Sequence, residues 1–145
     1  MKRALITKFS DRYIIHSVST LPEGGGRATE PFIIIKATST MKEVADNLLK
    51  AMEASKINIV NTTPYKTFQK NYLNSIGLKS NKELYNGSIC CSVHEKEGKI
   101  VFLPTINMGT VGGFQHNLDK KVEINSNASI EEVCNTLVEV LRRCE

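Results

Sequence analysis

The hydrophobic positions of this chain follow one pattern twice. Residues 33–55 and 122–144 each consist of a short apolar strand, a polar link and an amphipathic helix of about four turns. Thr40 and Ser129 occupy the N-cap positions of the two helices, and a glutamate follows each of them three residues later. In such a capping box the hydroxyl accepts a hydrogen bond from the helix backbone, and the glutamate accepts a second one. The sequence therefore predicts two β-to-α units of one design.

The two helices also share their apolar stripes. Each has apolar or small residues three or four positions apart, which places them on one face of the helix. Leu48 and Leu137 stand at equivalent points of the two stripes, 89 residues apart. We expect both leucines to be buried against a common sheet.

Each half of the chain has further strands before its helix. The apolar runs Ala4–Lys8 and Tyr13–Val18 predict one hairpin, and Ser88–Val93 and Lys99–Leu103 predict a second, in which Gly98 supplies a positive φ. Each half thus reads as two strands, a Gly-rich loop, a strand and a capped helix. The fold class predicted is α+β, an antiparallel sheet with two pseudo-symmetric helices packed across it.

The whole chain of 145 residues is the size of one domain with an internal repeat. The repeat covers residues 1–56 and 88–145, which are joined by residues 57–87. Two Gly-rich segments, 21–31 and 108–117, are predicted to be surface loops, the first of them mobile because three glycines lie between two prolines. The uninterrupted apolar run Phe32–Ile35 that follows suits a central strand.

The joining segment predicts a turn at 61–64, with Thr63 as the cap of a short middle helix and Gly77 at its end. Its aromatic residues recur at helical spacing, and lysines occupy the other face. Such a segment could bind single-stranded nucleic acid by stacking bases on the rings. A core stripe with solvated lysines is the commoner use of this pattern, and we favour it. The residues concerned are Tyr65, Phe68, Tyr72, Ile76, Lys66 and Lys70.

Charge and cysteines narrow the function classes. The net charge is +4, but the basic residues are scattered among acids, which does not indicate a nucleic-acid binding patch. The first residues lead directly into strand-like sequence, and no apolar run has the length of a signal peptide or a membrane span. We therefore expect a cytoplasmic protein, without a membrane partner, whose four cysteines are reduced.

Candidate catalytic groups are sparse. No phosphate-binding glycine motif and no paired cysteine motif for a metal is present, so we expect neither a cofactor nor a metal. Cys90 and Cys91 lie in an apolar strand, where thiols usually serve as packing groups. The active site of a metal-independent nuclease could be formed by His94, His116 and Lys99, but the sequence does not show that these side chains lie close together. The chain is therefore interpreted as a binding protein and not as an enzyme.

The sequence resembles a family of contact-dependent growth inhibition immunity proteins. The resemblance rests on the two helical segments 39–55 and 128–144, on the Leu103-Pro-Thr run with the Gly-rich stretch after it, and on the ending Arg143-Cys144-Glu145. Members of this family bind and neutralise the C-terminal toxin domain of a large secreted adhesin, often a ribonuclease. The resemblance implies a cytosolic inhibitor without chemistry of its own, monomeric and bound one-to-one to its cognate toxin.

An inhibitor of a nuclease has to cover a cationic cleft, and long loops and hairpin tips are the surfaces able to enter one. These are residues 22–30, 95–98 and 108–119. Since the chain is basic overall, the negative charge would have to be local. The toxin-binding residues predicted on this basis are Glu23, Arg27, Glu30, Glu95, Glu97, Phe114, His116 and Asp119. The two Gly-rich loops would act together if they lie at the same edge.

Overall fold

The structure is a computed structural model that describes residues 1–60 and 62–145. In those residues the strands are β1 (Lys2–Lys8), β2 (Arg12–Thr20), β3 (Gly26–Lys36), β4 (Ile89–Lys96), β5 (Lys99–Asn107), β6 (Phe114–His116) and β7 (Val122–Asn125). The helices there are α1 (Met41–Ala54), α2 (Tyr65–Ser75), α3 (Asn81–Tyr85), α4 (Gly109–Gly112) and α5 (Ile130–Arg143), with a 3-10 turn at Leu118–Lys120.

The strands form one antiparallel sheet in the order β3-β2-β1-β4-β5. The outer edge of β5 is shared, because β7 pairs with its first part and β6 with its last part. Each half of the chain supplies two strands, a connecting segment, a further strand and a helix. The predicted α+β fold is therefore confirmed, and the internal repeat stays a prediction.

Helices α1 and α5 lie side by side on one face of the sheet and enclose the larger hydrophobic core. Their predicted caps are present, since Thr40 Oγ1 accepts from Glu43 N and Ser129 Oγ accepts from Glu132 N, each at 3.2 Å. Leu48 and Leu137 are both 0% exposed. The burial predicted from the 89-residue offset is therefore correct.

The opposite face carries α2 and α3 over a second, smaller core. Helix α2 ends at Ser75, and Gly77, which was predicted to terminate it, follows with a φ of +73°. The Leu78 N–H donates to the Leu73 carbonyl (2.9 Å) and the Gly77 N–H to the Asn74 carbonyl (3.2 Å), the pair of bonds that defines a Schellman cap. Of the predicted stripe, Ile76 is buried and Tyr72 packs against this core, whereas Tyr65 is 65% exposed, so the stripe packs partly as core.

Several local expectations are wrong. The segment 21–31 is not a long mobile loop, because β3 begins at Gly26 and only a tight turn separates it from β2. Strand β3 lies at the edge of the sheet and not at its centre, and Ile34 is 48% exposed. Helix α2 has Pro64 and not Thr63 at its N-cap. Asn61, the first residue of the predicted turn, lies outside the described residues.

One helix was absent from the sequence expectations although its signal is present. Ser80 Oγ accepts from Glu83 N (3.2 Å), and Glu83 Oε2 accepts from Lys79 N (2.7 Å), which starts α3. The same Ser/Thr-x-x-Glu spacing marks α1 and α5. Its short length, five residues, leaves too little apolar periodicity to detect.

His16 forms a buried polar contact beneath α2. Its Nδ1–H donates to the Ser17 carbonyl (2.9 Å), which leaves Nε2 to accept from the Tyr72 hydroxyl (3.1 Å). His16 is 2% exposed, and burial lowers its pKa to about 4. The imidazole is therefore neutral in the folded protein at neutral pH.

The two leucines provide a test of the repeat. Leu48→Ala and Leu137→Ala should each lower the free energy of unfolding by about 2 to 5 kcal/mol, because each leaves a cavity in the larger core. Urea denaturation measures the loss, with Lys50→Ala on the exposed side of α1 as the control. Losses below about 0.5 kcal/mol at both leucines would contradict the packing described.

His16 makes stability depend on pH. In the unfolded chain its pKa is about 6.5, so between about pH 6.5 and 4 the unfolded state binds a proton that the folded state does not. Because the pKa of His16 is lower in the folded state, the free energy of unfolding has its full value above about pH 6.5 and decreases as pH falls below that value. Between pH 7 and 4.5 the loss should be about 2 to 3 kcal/mol, measured by urea denaturation. His16→Gln should remove that part of the pH dependence, and an unchanged slope would show that His16 does not titrate in this way.

Candidate partner-binding surfaces

Two hairpin turns project from the same end of the sheet. The β2–β3 turn follows Thr20, which faces Gly26, and the β4–β5 turn follows Lys96, which faces Lys99. Strand β1 begins between them, since Lys2 faces Glu95 and β1 pairs with both β2 and β4. Strands β2 and β4 are thus two strand spacings apart, about 10 Å. We call this end of the molecule the hairpin end.

The turns are built by residues with positive φ. Gly24 and Gly25 have φ of +98° and +80°, and in the second turn Glu97 and Gly98 have +53° and +77°. A two-residue turn with two positive φ angles matches the twist of a hairpin, which confirms the role predicted for Gly98. Glu23 and Glu97 are exposed at the two tips.

Carboxylates at the hairpin end lie next to lysines. Lys2 Nζ is 2.5 Å from Glu53 Oε1 and 3.9 Å from Glu95 Oε2, so one lysine faces two carboxylates. Among the described residues Glu23 and Glu97 have no ion pair. Lys96 and Lys99 flank the second turn, so unpaired carboxylates stand at the two tips of an end that carries both signs of charge.

The remaining predicted site residues are dispersed. Arg27 lies in β3 with its guanidinium 4.9 Å from the centre of the Phe68 ring, and its Nε is buried without a hydrogen-bond partner in the described part of the chain. Glu30 lines a cleft of about 440 Å³ between the edge of β3 and α2, together with Phe68 and Tyr72. Neither residue reaches the tip of the β2–β3 turn.

The second Gly-rich segment is at the other end of the sheet. Phe114 faces Asn107, at the end of β5 remote from Lys99, and its ring packs 4.9 Å from that of Tyr85. His116 and Asp119 are exposed beyond it. The two Gly-rich segments therefore do not share an edge, and the eight predicted residues do not form one surface.

The structure also shows a groove that the sequence did not indicate. It lies on the face opposite α1 and α5, where α2 and α3 leave part of the sheet uncovered, and its volume is about 500 Å³. We call it the sheet groove. It is lined by His94, Lys96, Glu97, Lys99, Val101, Leu103, Leu118, Lys121 and Glu123.

His94 lies at the centre of the charges around this groove. Burial lowers its pKa, and the positive charges of Arg3, Lys96 and His116 lower it further, while Glu123 acts in the opposite direction. Two of the three groups considered for nuclease chemistry, His94 and Lys99, line the groove, and His116 is within electrostatic range. No hydrogen bond joins any two of these three in the residues described. Their arrangement concentrates positive charge on one sheet face.

The aromatic residues of the middle segment are mostly engaged within the fold. Tyr72 bonds to His16, and Phe68 faces the Arg27 guanidinium. Tyr65 is 65% exposed and lines a shallow groove of about 450 Å³ with Lys66 and Lys70. Of the three aromatic rings in the predicted stripe, that of Tyr65 is thus the one that is largely exposed and available for stacking on a base.

The thiols do not form a reactive site. All four cysteines are free, and Cys90 and Cys91 are buried. Burial raises the pKa of Cys90 to about 12 and that of Cys91 well above its ordinary value. Both are protonated at neutral pH and act as packing groups, as the sequence suggested.

Two further observations concern membranes and metals. In residues 1–60 and 62–145 no helix combines the length and the apolar character needed to cross a membrane. The same residues contain no group of three or more His, Cys, Asp or Glu side chains arranged to hold a metal ion.

Comparison with known proteins identifies the fold. A chain of a CdiA-CT/CdiI toxin and immunity complex from Yersinia pseudotuberculosis superposes with a TM-score of 0.81, covering 99% of this chain and 97% of that one at 12% identity. A protein of unknown function from Neisseria meningitidis gives 0.79, with 99% and 95% covered at 16% identity. Such low identities show a shared fold.

None of the curated proteins matches the sequence significantly. The family model described as CDI immunity protein matches residues 2–144. This match spans nearly the whole chain and confirms the resemblance seen in the sequence: the protein belongs to the family of contact-dependent growth inhibition (CDI) immunity proteins.

Proposed function

We propose that this protein binds the cognate toxin domain of a CDI adhesin in the cytosol and neutralises it by covering its active site. The toxin is a nuclease, most simply a ribonuclease, and the complex contains one copy of each chain. The observation that carries the proposal is the family match over residues 2–144. On this proposal the protein acts by contact alone and catalyses no reaction.

The hairpin end is the surface best suited to enter a cationic cleft. Glu23 and Glu97 project on turns from a rigid sheet, and Glu95 follows on the adjoining strand. Carboxylates at an interface rim raise the rate of encounter with a positively charged partner. Arg27 and Glu30 would contribute from the edge of β3, whereas Phe114, His116 and Asp119 would contact a different part of the toxin.

A second candidate function is single-stranded nucleic-acid binding by the segment 57–87. The groove lined by Tyr65, Lys66 and Lys70 supports it, because it combines an exposed ring with positive charge. The rings of Phe68 and Tyr72 are already engaged, which leaves little stacking surface. We therefore favour the toxin inhibitor.

Charge reversal at the hairpin end should slow toxin binding. In the variant Glu23→Lys with Glu97→Lys, the association rate constant should fall about tenfold at low salt, and the difference should shrink as salt screens the charges. Surface plasmon resonance with the toxin domain encoded directly upstream measures it. The control Asp11→Lys with Asp46→Lys makes the same change in charge on the β1–β2 turn and on α1. Equal rates for both variants would place the acidic contact elsewhere.

The purified protein should also be inert towards RNA. We expect no cleavage, and only weak binding of single-stranded RNA whose affinity changes little with salt, because several released counterions would require a multi-phosphate site. Gel analysis of incubated RNA and fluorescence anisotropy at several salt concentrations test this. Cleavage that disappears in His94→Ala would establish catalysis, and a steep salt dependence would establish the nucleic-acid function.

A further inference from the structure

The sheet groove gathers basic residues from β4, β5 and the start of β7, all in the second half of the chain. His94 and Lys96 are on β4 and Lys99 is on β5, with Lys121 just before β7. Their side chains share one face because residues alternate along each strand and the strands are aligned in register. Arg3 of β1 adds positive charge close to His94, while its guanidinium lies beside Gly26 of β3.

Three lysines and two glutamates, Glu97 and Glu123, line the groove, so positive charge is in small excess there. Lys121 Nζ is 3.1 Å from Glu123 Oε1, whereas Lys99 Nζ donates to the Asn125 side-chain carbonyl at 3.0 Å. In the described part of the chain Arg3, Lys96 and Lys99 form no ion pair. Arg3 is half-buried, so its charge is also partly removed from water. Clustered like charges of this kind are relieved when an anionic group binds between them.

The lining of the groove indicates the kind of anion. Its apolar residues are aliphatic, with Val101 and Leu103 nearly buried at the base and Leu118 64% exposed at the rim. Unpaired bases of RNA bind to proteins largely by stacking on aromatic rings, which the described lining does not offer. Carboxylates next to small aliphatic side chains fit both the charge and the walls.

The dimensions fit a short piece of polypeptide. From β4 across β5 to β7 there are two strand spacings, about 10 Å. An extended peptide advances about 3.3 Å per residue, so about three residues cross the groove. A volume of about 500 Å³ exceeds what a single phosphate group would occupy.

We propose that the sheet groove binds an acidic, aliphatic segment of the cognate toxin domain, beside the contact made by the hairpin end. The inference rests on the proposed function and adds a second contact of opposite charge. Lys96 and Glu97 are neighbours in sequence and both line the groove, so the carboxylate at the tip of the β4–β5 turn adjoins the lysines of the groove. The toxin partner would therefore carry an acidic element next to its cationic cleft. The excess of basic residues in this inhibitor would then be used in binding.

The test reverses charge in the groove at two residues that flank the β4–β5 turn. Lys96 and Lys99 face each other across β4 and β5 and are both exposed, so Lys96→Glu with Lys99→Glu keeps a like-charge pair and leaves the turn residues Glu97 and Gly98 unchanged. The control Lys36→Glu with Lys50→Glu makes the same change in charge at the end of β3 and on α1. Isothermal titration calorimetry measures Kd for the toxin domain encoded directly upstream. We expect the groove variant to bind at least about 30-fold more weakly than wild type, and the control to stay within about threefold.

A second probe does not depend on the toxin. Wild-type protein should bind poly-L-glutamate weakly, and the groove variant should lose that binding while the control Lys36→Glu with Lys50→Glu keeps it. Poly(U) RNA is run in parallel. Loss of RNA binding in the groove variant with toxin affinity unchanged would assign the groove to nucleic acid and overturn the inference.

The outcomes separate the two proposals. If wild type does not bind the toxin domain, the proposed function fails. If wild type binds and the groove variant binds equally tightly, only the groove inference fails. Far-ultraviolet circular dichroism checks that each variant folds, and Lys121→Glu provides an independent groove variant should the double variant not fold.

Discussion

The pairing of β1 with β4 holds the molecule together. It runs along the whole of β1, from Lys2 opposite Glu95 to Lys8 opposite Ile89, and joins the first half of the chain to the second. Ala4 and Ile6 of β1 are completely buried under the two long helices. Because side chains alternate along a strand, this register also decides which residues of both halves meet on the opposite face. The larger core thus depends on this pairing, whereas the sheet groove is lined by residues 94–123 and lies within the second half of the chain.

Much of the fold could be predicted from local sequence. The caps at Thr40 and Ser129, the helical stripes and the turn at Gly98 are short-range signals, and all of them are present in the structure. The first Gly-rich segment was misread because a glycine can serve close packing as well as flexibility. A Cβ on Gly26 would lie 2.6 Å from Val18 Cγ1, so this glycine allows β3 to approach β2.

The surface was less predictable than the core. The tips carrying Glu23 and Glu97 follow from turn chemistry, but Phe114 and His116 lie elsewhere, because loop position depends on strand order. The alternation that places His94 and Lys96 on one face was visible in the sequence. Their meeting with Lys99 and Lys121 was not, since it requires the pairing of β5 with both β4 and β7.

The two hydrophobic cores lie on opposite faces of the sheet and have separate memberships. Residues 57–87 attach through the smaller core, whereas α1 and α5 enclose the larger one. A substitution on the outside of α2 or α3 therefore changes what the surface displays while leaving the packing of α1 against α5 intact. The side chains displayed by this segment can therefore vary without any change in the framework formed by α1, α5 and the sheet between the two cores.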